Sequence, residues 1–185
     1  MTIPDGTFDI GPSTGDLLVR TGRDGVAARV GHDLTITFEK WSGRLTLRGD
    51  DLHSATVTAT FETGSIKVLA GTGGALPLTI IDRREIRKTA LRLLEADRHP
   101  TATFTSTSIT RSGDGGRIEG TLTLRGVSAP VTIDVSPNGA GWHGSASIRQ
   151  TSFGIKPYRA FLGALRLADE VGIEVDVDYE RAADG

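Results

Sequence analysis

From Val26 to Phe38 the even positions read Val26, Ala28, Val30, His32, Leu34, Ile36 and Phe38; the odd ones read Ala27, Arg29, Gly31, Asp33, Thr35 and Thr37. Alternation with period two is the mark of a strand with one buried and one wet face, because successive side chains leave a strand on opposite sides. The alternation returns along the chain. Leu17 and Val19 precede an Asp24-Gly25 hairpin signal, and Leu45 and Leu47 follow Gly43. Val57, Ala59 and Phe61 face away from Thr58 and Thr60, and Ile66 and Val68 come next. Ala102 with Phe104, Ile118 with Leu122 and Leu124, and Val131 with Ile133 repeat it. Trp142 with Ala146 and Ile148, and Val171 with Ile173, Val175, Val177 and Tyr179, complete the set. About eight one-sided strands joined by short turns predict an all-β fold of antiparallel sheet. A sheet of that size removes its edges by closing into a barrel.

Two segments break the period. Over about 82–96, Ile86, Ala90 and Leu94 recur at helical spacing; Asp82 reads as the N-cap and Glu85 as its capping-box partner. Over 157–167, Phe161, Leu162 and Leu165 interrupt the strands and predict a short plug across one barrel end.

Composition narrows the function. The chain has 185 residues, read as one domain over 1–185, and 37% of them are hydrophobic, enough for a sizeable core. The net charge of -2 lacks the basic footprint of a nucleic-acid partner. Cysteine is absent, which excludes disulfides, thiolate zinc sites and a cysteine nucleophile. Met1-Thr2-Ile3-Pro4-Asp5-Gly6 has neither a basic n-region nor an apolar h-region, and no apolar run approaches about 18 residues. The expected location is therefore cytoplasmic, without a transmembrane segment.

The inward face mixes large residues with Ala28, Ala59, Ala102, Gly120, Gly144 and Ala146. An eight-stranded barrel is just wide enough to be packed or to hold one small ligand, and spacing alone leaves both open. If there is a cavity, its lining candidates start with His32, Leu34, Ile36, Phe38, Leu45 and Leu47. Val57, Ala59, Phe61, Ala102, Phe104, Leu122 and Leu124 follow, then Ile133, Trp142 and Ile148, with Phe161, Leu162 and Leu165 from the plug.

Candidate chemistry is sparse. His32 and Asp33 are adjacent on a strand, so they face opposite ways and cannot share a metal. His53, His99 and His143 have no ligand spacing. Glu174, Asp176, Asp178 and Glu180 share a face and read as a solvated acidic stripe. There is no Gly-x-Ser-x-Gly elbow, and Gly71, Gly73 and Gly74 read as a flexible loop. Arg84, Lys88 and Arg92, at i, i+4 and i+8, form a basic face opposite Ile86 and Ala90. They are the head-group candidates, able to hold a diphosphate or meet an anionic membrane surface.

Several motifs occur in a telling order: Gly31-His32-Asp33-Leu34, Trp41-Ser42-Gly43 and Gly64-Ser65-Ile66. Next come Arg98-His99-Pro100-Thr101-Ala102-Thr103-Phe104, Gly120-Thr121-Leu122-Thr123-Leu124-Arg125-Gly126 and Ser152-Phe153-Gly154-Ile155, with Asp169-Glu170-Val171 last. In this the chain resembles the YceI-like, polyisoprenoid-binding, lipocalin-like family. It departs from the family where a basic helix replaces the usual Asp-x-His-Leu element, and where Gln150 stands for the usual Arg. The resemblance implies a lipocalin-like β-barrel whose long apolar cavity holds an isoprenoid chain, often in a homodimer. The function so implied is non-enzymatic carriage of an isoprenoid or isoprenoid quinone-like lipid, with no cofactor required. The alternatives are a packed structural or partner-binding barrel and a lipid-modifying enzyme.

Overall fold

The computed structural model describes residues 5–48, 52–139 and 141–178. Tyr179, Glu180 and Met1 to Pro4, drawn on above, lie outside the described residues. The first strands are β1 (Gly6–Ile10), β2 (Gly15–Asp24), β3 (Asp33–Phe38), β4 (Trp41–Leu47), β5 (Thr56–Glu62) and β6 (Ile66–Thr72). Helix α1 (Ile80–Leu94) follows. Then come β7 (Thr101–Ser112), β8 (Gly115–Leu124), β9 (Val127–Asn138), β10 (Gly141–Arg149), β11 (Arg159–Ala160) and β12 (Leu165–Asp178). No helix among the described residues is long and apolar enough to cross a membrane.

All the strands pair antiparallel, in the order β1-β4-β5-β7-β8-β9-β10-β12-β2-β3-β6, with β11 beside β12. The order looks open, but β3 runs into β4 through Glu39 and Lys40 alone, and β5 into β6 through the 3-10 turn Thr63–Ser65. One bent ribbon, β3–β4, therefore meets β2 with its first half and β5 with its second. The sheet so curls round to itself, and its inward side holds the core.

The bend is held in place by chemistry. Thr63 is fully buried; its amide donates to Pro100 O at 2.9 Å and its hydroxyl to His99 O at 2.7 Å. Across the β3–β4 bend the inward phase changes: Leu34 and Ile36 are buried before it, Trp41 and Leu47 after it.

Three expectations need correction. The alternation from Val26 to His32 is not strand. This stretch is a turn with a 3-10 segment, Ala28–Val30, and Val26 is 95% exposed. Gly25 turns the chain at φ 96°, and the Ala27 amide donates to Ala164 O at 2.9 Å, so the backbone is satisfied without a ladder. The helix begins two residues earlier than predicted. Thr79, not Asp82, is the N-cap: its hydroxyl accepts from the Asp82 amide at 3.1 Å, and the Asp82 carboxylate accepts from the Thr79 amide at 2.8 Å. It ends at Leu94, with Glu95 in the left-handed conformation as C-cap. The plug forms only in part. Leu165 packs where a side chain on Gly31 would stand, but Phe161 is 69% exposed and Leu162 is fully in solvent.

α1 lays Ile86, Ala90 and Leu94 against Leu34, Ile36, Ile66 and Val68. It also covers β6, which has a ladder partner on one side only. Arg87 donates to Ile66 O at 2.8 Å and Gly64 O at 2.7 Å, and Arg83 to Leu69 O at 2.8 Å. Two of the helix's cations thus occupy carbonyls of an open sheet edge, where another chain could otherwise pair.

Candidate functional site

Among the described residues the inward face lines a cavity toward each end of the barrel. The larger is about 750 Å³ and lies under α1. β2 contributes Leu17 and Val19 to its wall, β3 Leu34, Ile36 and Phe38, and β12 Val171 and Ile173. Ile86, Ala90, Leu93 and Leu94 of the helix form its cover. The smaller cavity is about 380 Å³, between Phe8 and Leu45 on one side and Trp142 and Val175 on the other. No described residue lines both.

The candidate lining divides accordingly. His32, Leu34, Ile36, Phe38, Phe61 and Ala102 line the larger cavity, with Leu122, Leu124, Ile148, Phe161 and Leu165. Leu45, Leu47, Val57, Ile133 and Trp142 line the smaller one. Ala59 and Phe104 line neither; they sit in the packed cluster between the two. Leu162 lines neither because it points into solvent. Sequence reasoning did not place the helix residues Ile86, Ala90, Leu93 and Leu94 in the lining; it used the stripe Ile86, Ala90 and Leu94 only as a mark of helical spacing. It also passed over Leu17, Val19, Val171 and Ile173, although all four stand on faces the alternation had marked as apolar.

The polar atoms of the larger cavity gather where the 73–78 loop, α1 and the turn after β2 meet. His32 Nε2–H donates to Leu76 O at 2.8 Å, which fixes its tautomer and pins the loop. The Arg23 guanidinium donates to Gly31 O and lies 3.6 Å from Asp33. Gln150 donates to Ala168 O at 2.8 Å, so at this departure from the family pattern it serves a backbone contact. From the helix come Asp82 and Glu85. Hydrogen bonds from Thr79 hold the Asp82 carboxyl below the usual carboxylate range.

The structure does not bring Arg84, Lys88 and Arg92 to this site. All three are exposed, and none lines either cavity. The reason is the helical period: with Ile86, Ala90 and Leu93 on the cavity, positions 84, 88 and 92 fall on the opposite face. Arg23 is the lysine or arginine that reaches the larger cavity among the described residues. The acidic stripe of β12 is partnered. Arg20 donates to both Glu174 oxygens at 2.9 Å and holds that carboxyl below the usual range, and His143 lies 3.0 Å from Asp176.

Comparison with known proteins agrees with this architecture. A family model described as the YceI-like domain matches residues 19–179. A UPF0312 protein of Pseudomonas aeruginosa is 42% identical over 73 residues, 34% of this chain and 38% of that protein. Protein YceI of Salmonella newport is 32% identical over 105 residues, 57% of this chain and 49% of that protein. The chain thus spans less than half the length of these curated relatives. The crystal structure of Burkholderia cenocepacia BcnA superimposes with a TM-score of 0.65 at 18% identity, over 88% of this chain and 94% of that one. A Campylobacter jejuni YCEI protein gives 0.54 at 16% identity, over 77% and 81%. At these identities the structural likeness is one of fold, and the family follows from the match to the sequence model: the chain belongs to the YceI-like domain family.

Proposed function

We propose that the barrel binds and carries an elongated apolar lipid of isoprenoid type, with a small uncharged head group, and does no chemistry on it. The observation that supports this reading is the larger cavity. Its volume of about 750 Å³ is within the range of small-molecule sites, roughly 300–1,000 Å³, and its wall is overwhelmingly aliphatic and aromatic. A solidly packed barrel would have no such space. Head-group preference follows from the charges at the polar end. Arg23 is already bonded to Gly31 O and lies 3.6 Å from Asp33, and the helix adds Asp82 and Glu85 to the lining, so a diphosphate would meet more negative than positive charge. A prenol or quinone head asks only for hydrogen bonds. Arg23, His32, Gln150 and Asp82 each hold a structural contact, which favours a container over an enzyme.

Native mass spectrometry of the purified protein, followed by titration with geranylgeraniol and geranylgeranyl diphosphate, tests this. The expected result is a stoichiometric apolar lipid and tighter binding of the alcohol. Tighter binding of the diphosphate overturns the head-group assignment, and binding of neither overturns the carrier reading.

A further inference from the structure

The two cavities lie in one barrel yet share no lining residue among the described ones, and on several strands a short interval of inward side chains separates them. On β5, Phe61 lines the larger cavity, Val57 the smaller, and Ala59 between them lines neither. On β8 the same sequence is Leu122, Gly120, Ile118, and on β10 it is Ile148, Ala146, Gly144; on β7 both Phe104 and Ser106 stand between Ala102 and Ile109, with a bulge after Ser106. The layer holds the small residues Ala59, Ser106, Gly120 and Ala146, with Val131 opposite Gly120. Phe104 brings an aromatic ring into it. Its ring leans from β7 across to β8, so that a Cβ built on Gly120 would stand 2.4 Å from Phe104 Cζ. Phe104 is buried, and its cluster includes Leu122 and Ile148 from the larger cavity and Ile118 and Ile133 from the smaller. The ring belongs to the cluster that borders both compartments and lines neither.

We propose that Phe104 is the partition that sets the length of apolar chain the barrel accepts, and that the smaller cavity is a reserve compartment for the far end of a longer chain once this ring is removed or turned aside. This rests on the carrier reading above. A chain confined to the larger cavity ends against Phe104. With the ring gone, the small residues around it leave the two spaces continuous, and a longer chain buries methylenes that otherwise stay in water.

Binding of farnesol, geranylgeraniol and solanesol to the parent protein, Phe104→Ala and Phe104→Leu tests the proposal, with thermal melts confirming that each is folded. The expected result is that the parent prefers the shorter prenols. Phe104→Ala should tighten solanesol by about tenfold, the gain from roughly two further buried methylenes, and leave farnesol little changed. Phe104→Leu should fall between; it also carries the test if the alanine variant does not fold. If the parent binds prenols but the variants keep its length preference, Phe104 is core packing only and the proposal is wrong while the carrier reading stands. If the parent binds no prenol at all, both fail.

Discussion

Arg125 has φ 55°, a left-handed backbone that costs a non-glycine residue roughly 1–3 kcal/mol. What it does there is tie separate elements together. Its guanidinium donates to the carboxylate of Glu95, the helix C-cap, and to the carbonyl of Gly154 after the Gln150–Phe153 turn. The hydrogen bond from Arg125 is the main reason the Glu95 carboxyl lies below its ordinary value. A carboxyl lowered by folding contributes stability at neutral pH that is lost as pH falls below about 4.3 and through the folded value. Arg125→Gln should therefore be less stable at neutral pH, and its loss relative to the parent should shrink in acid; thermal melts from neutral to acid pH check this. A second residue bears on the cavity. Ala102 is only 4% exposed, but its methyl faces the larger space. Ala102→Phe should fill that space and abolish prenol binding, at a stability cost within the roughly 1–3 kcal/mol of overpacking. A larger loss of stability, with no lipid bound by the parent, would show a core too tight to be a container.

At the scale of elements, α1 and β6 make one unit. Bonds from Arg87 to Ile66 O at the start of β6 and to Gly64 O in the turn before it predict that Arg87→Ala costs about 1–3 kcal/mol and speeds amide exchange along Ile66–Thr72. Lys88→Ala, on the opposite face, should change stability by less than about 0.5 kcal/mol. Equal effects from the two would mean the edge contacts carry no weight. The plug segment separates in the same way. Leu165→Ser places a hydroxyl against the cavity wall and should weaken prenol binding, whereas Leu162→Ser, already in solvent, should leave binding and melting temperature unchanged. The basic stripe Arg84, Lys88 and Arg92 was legible as a stripe, but the edge role of Arg83 and Arg87 was not. Which carbonyls lie beneath a helix depends on how the strands pair, and nothing local to the helix encodes it.

For the whole molecule, a ligand that binds only the folded barrel adds about 2.7 kcal/mol at a hundredfold excess over its Kd. The melting temperature should therefore rise with prenol concentration and fall after solvent extraction; a constant value would mean that nothing specific is bound. The alternation of apolar and polar residues determined the antiparallel strands and the faces they bury, because a period of two leaves a strand no other way to hide its apolar side. It also determined that the stretch from Ile86 to Leu94 is helix. Tertiary structure decided what alternation cannot express. Val26 to His32 has the pattern but not the ladder, since Gly25 and the contact with Ala164 take its backbone elsewhere. Phe61, Phe104 and Val57 look alike from the sequence, all large apolar residues on inward faces. Whether such a residue lines one cavity, the other or the layer between depends on its height along the barrel. That height is fixed by strand register, such as Ala59 opposite Phe104 and Phe104 opposite Leu122, which is a property of pairs of strands and not of any one of them.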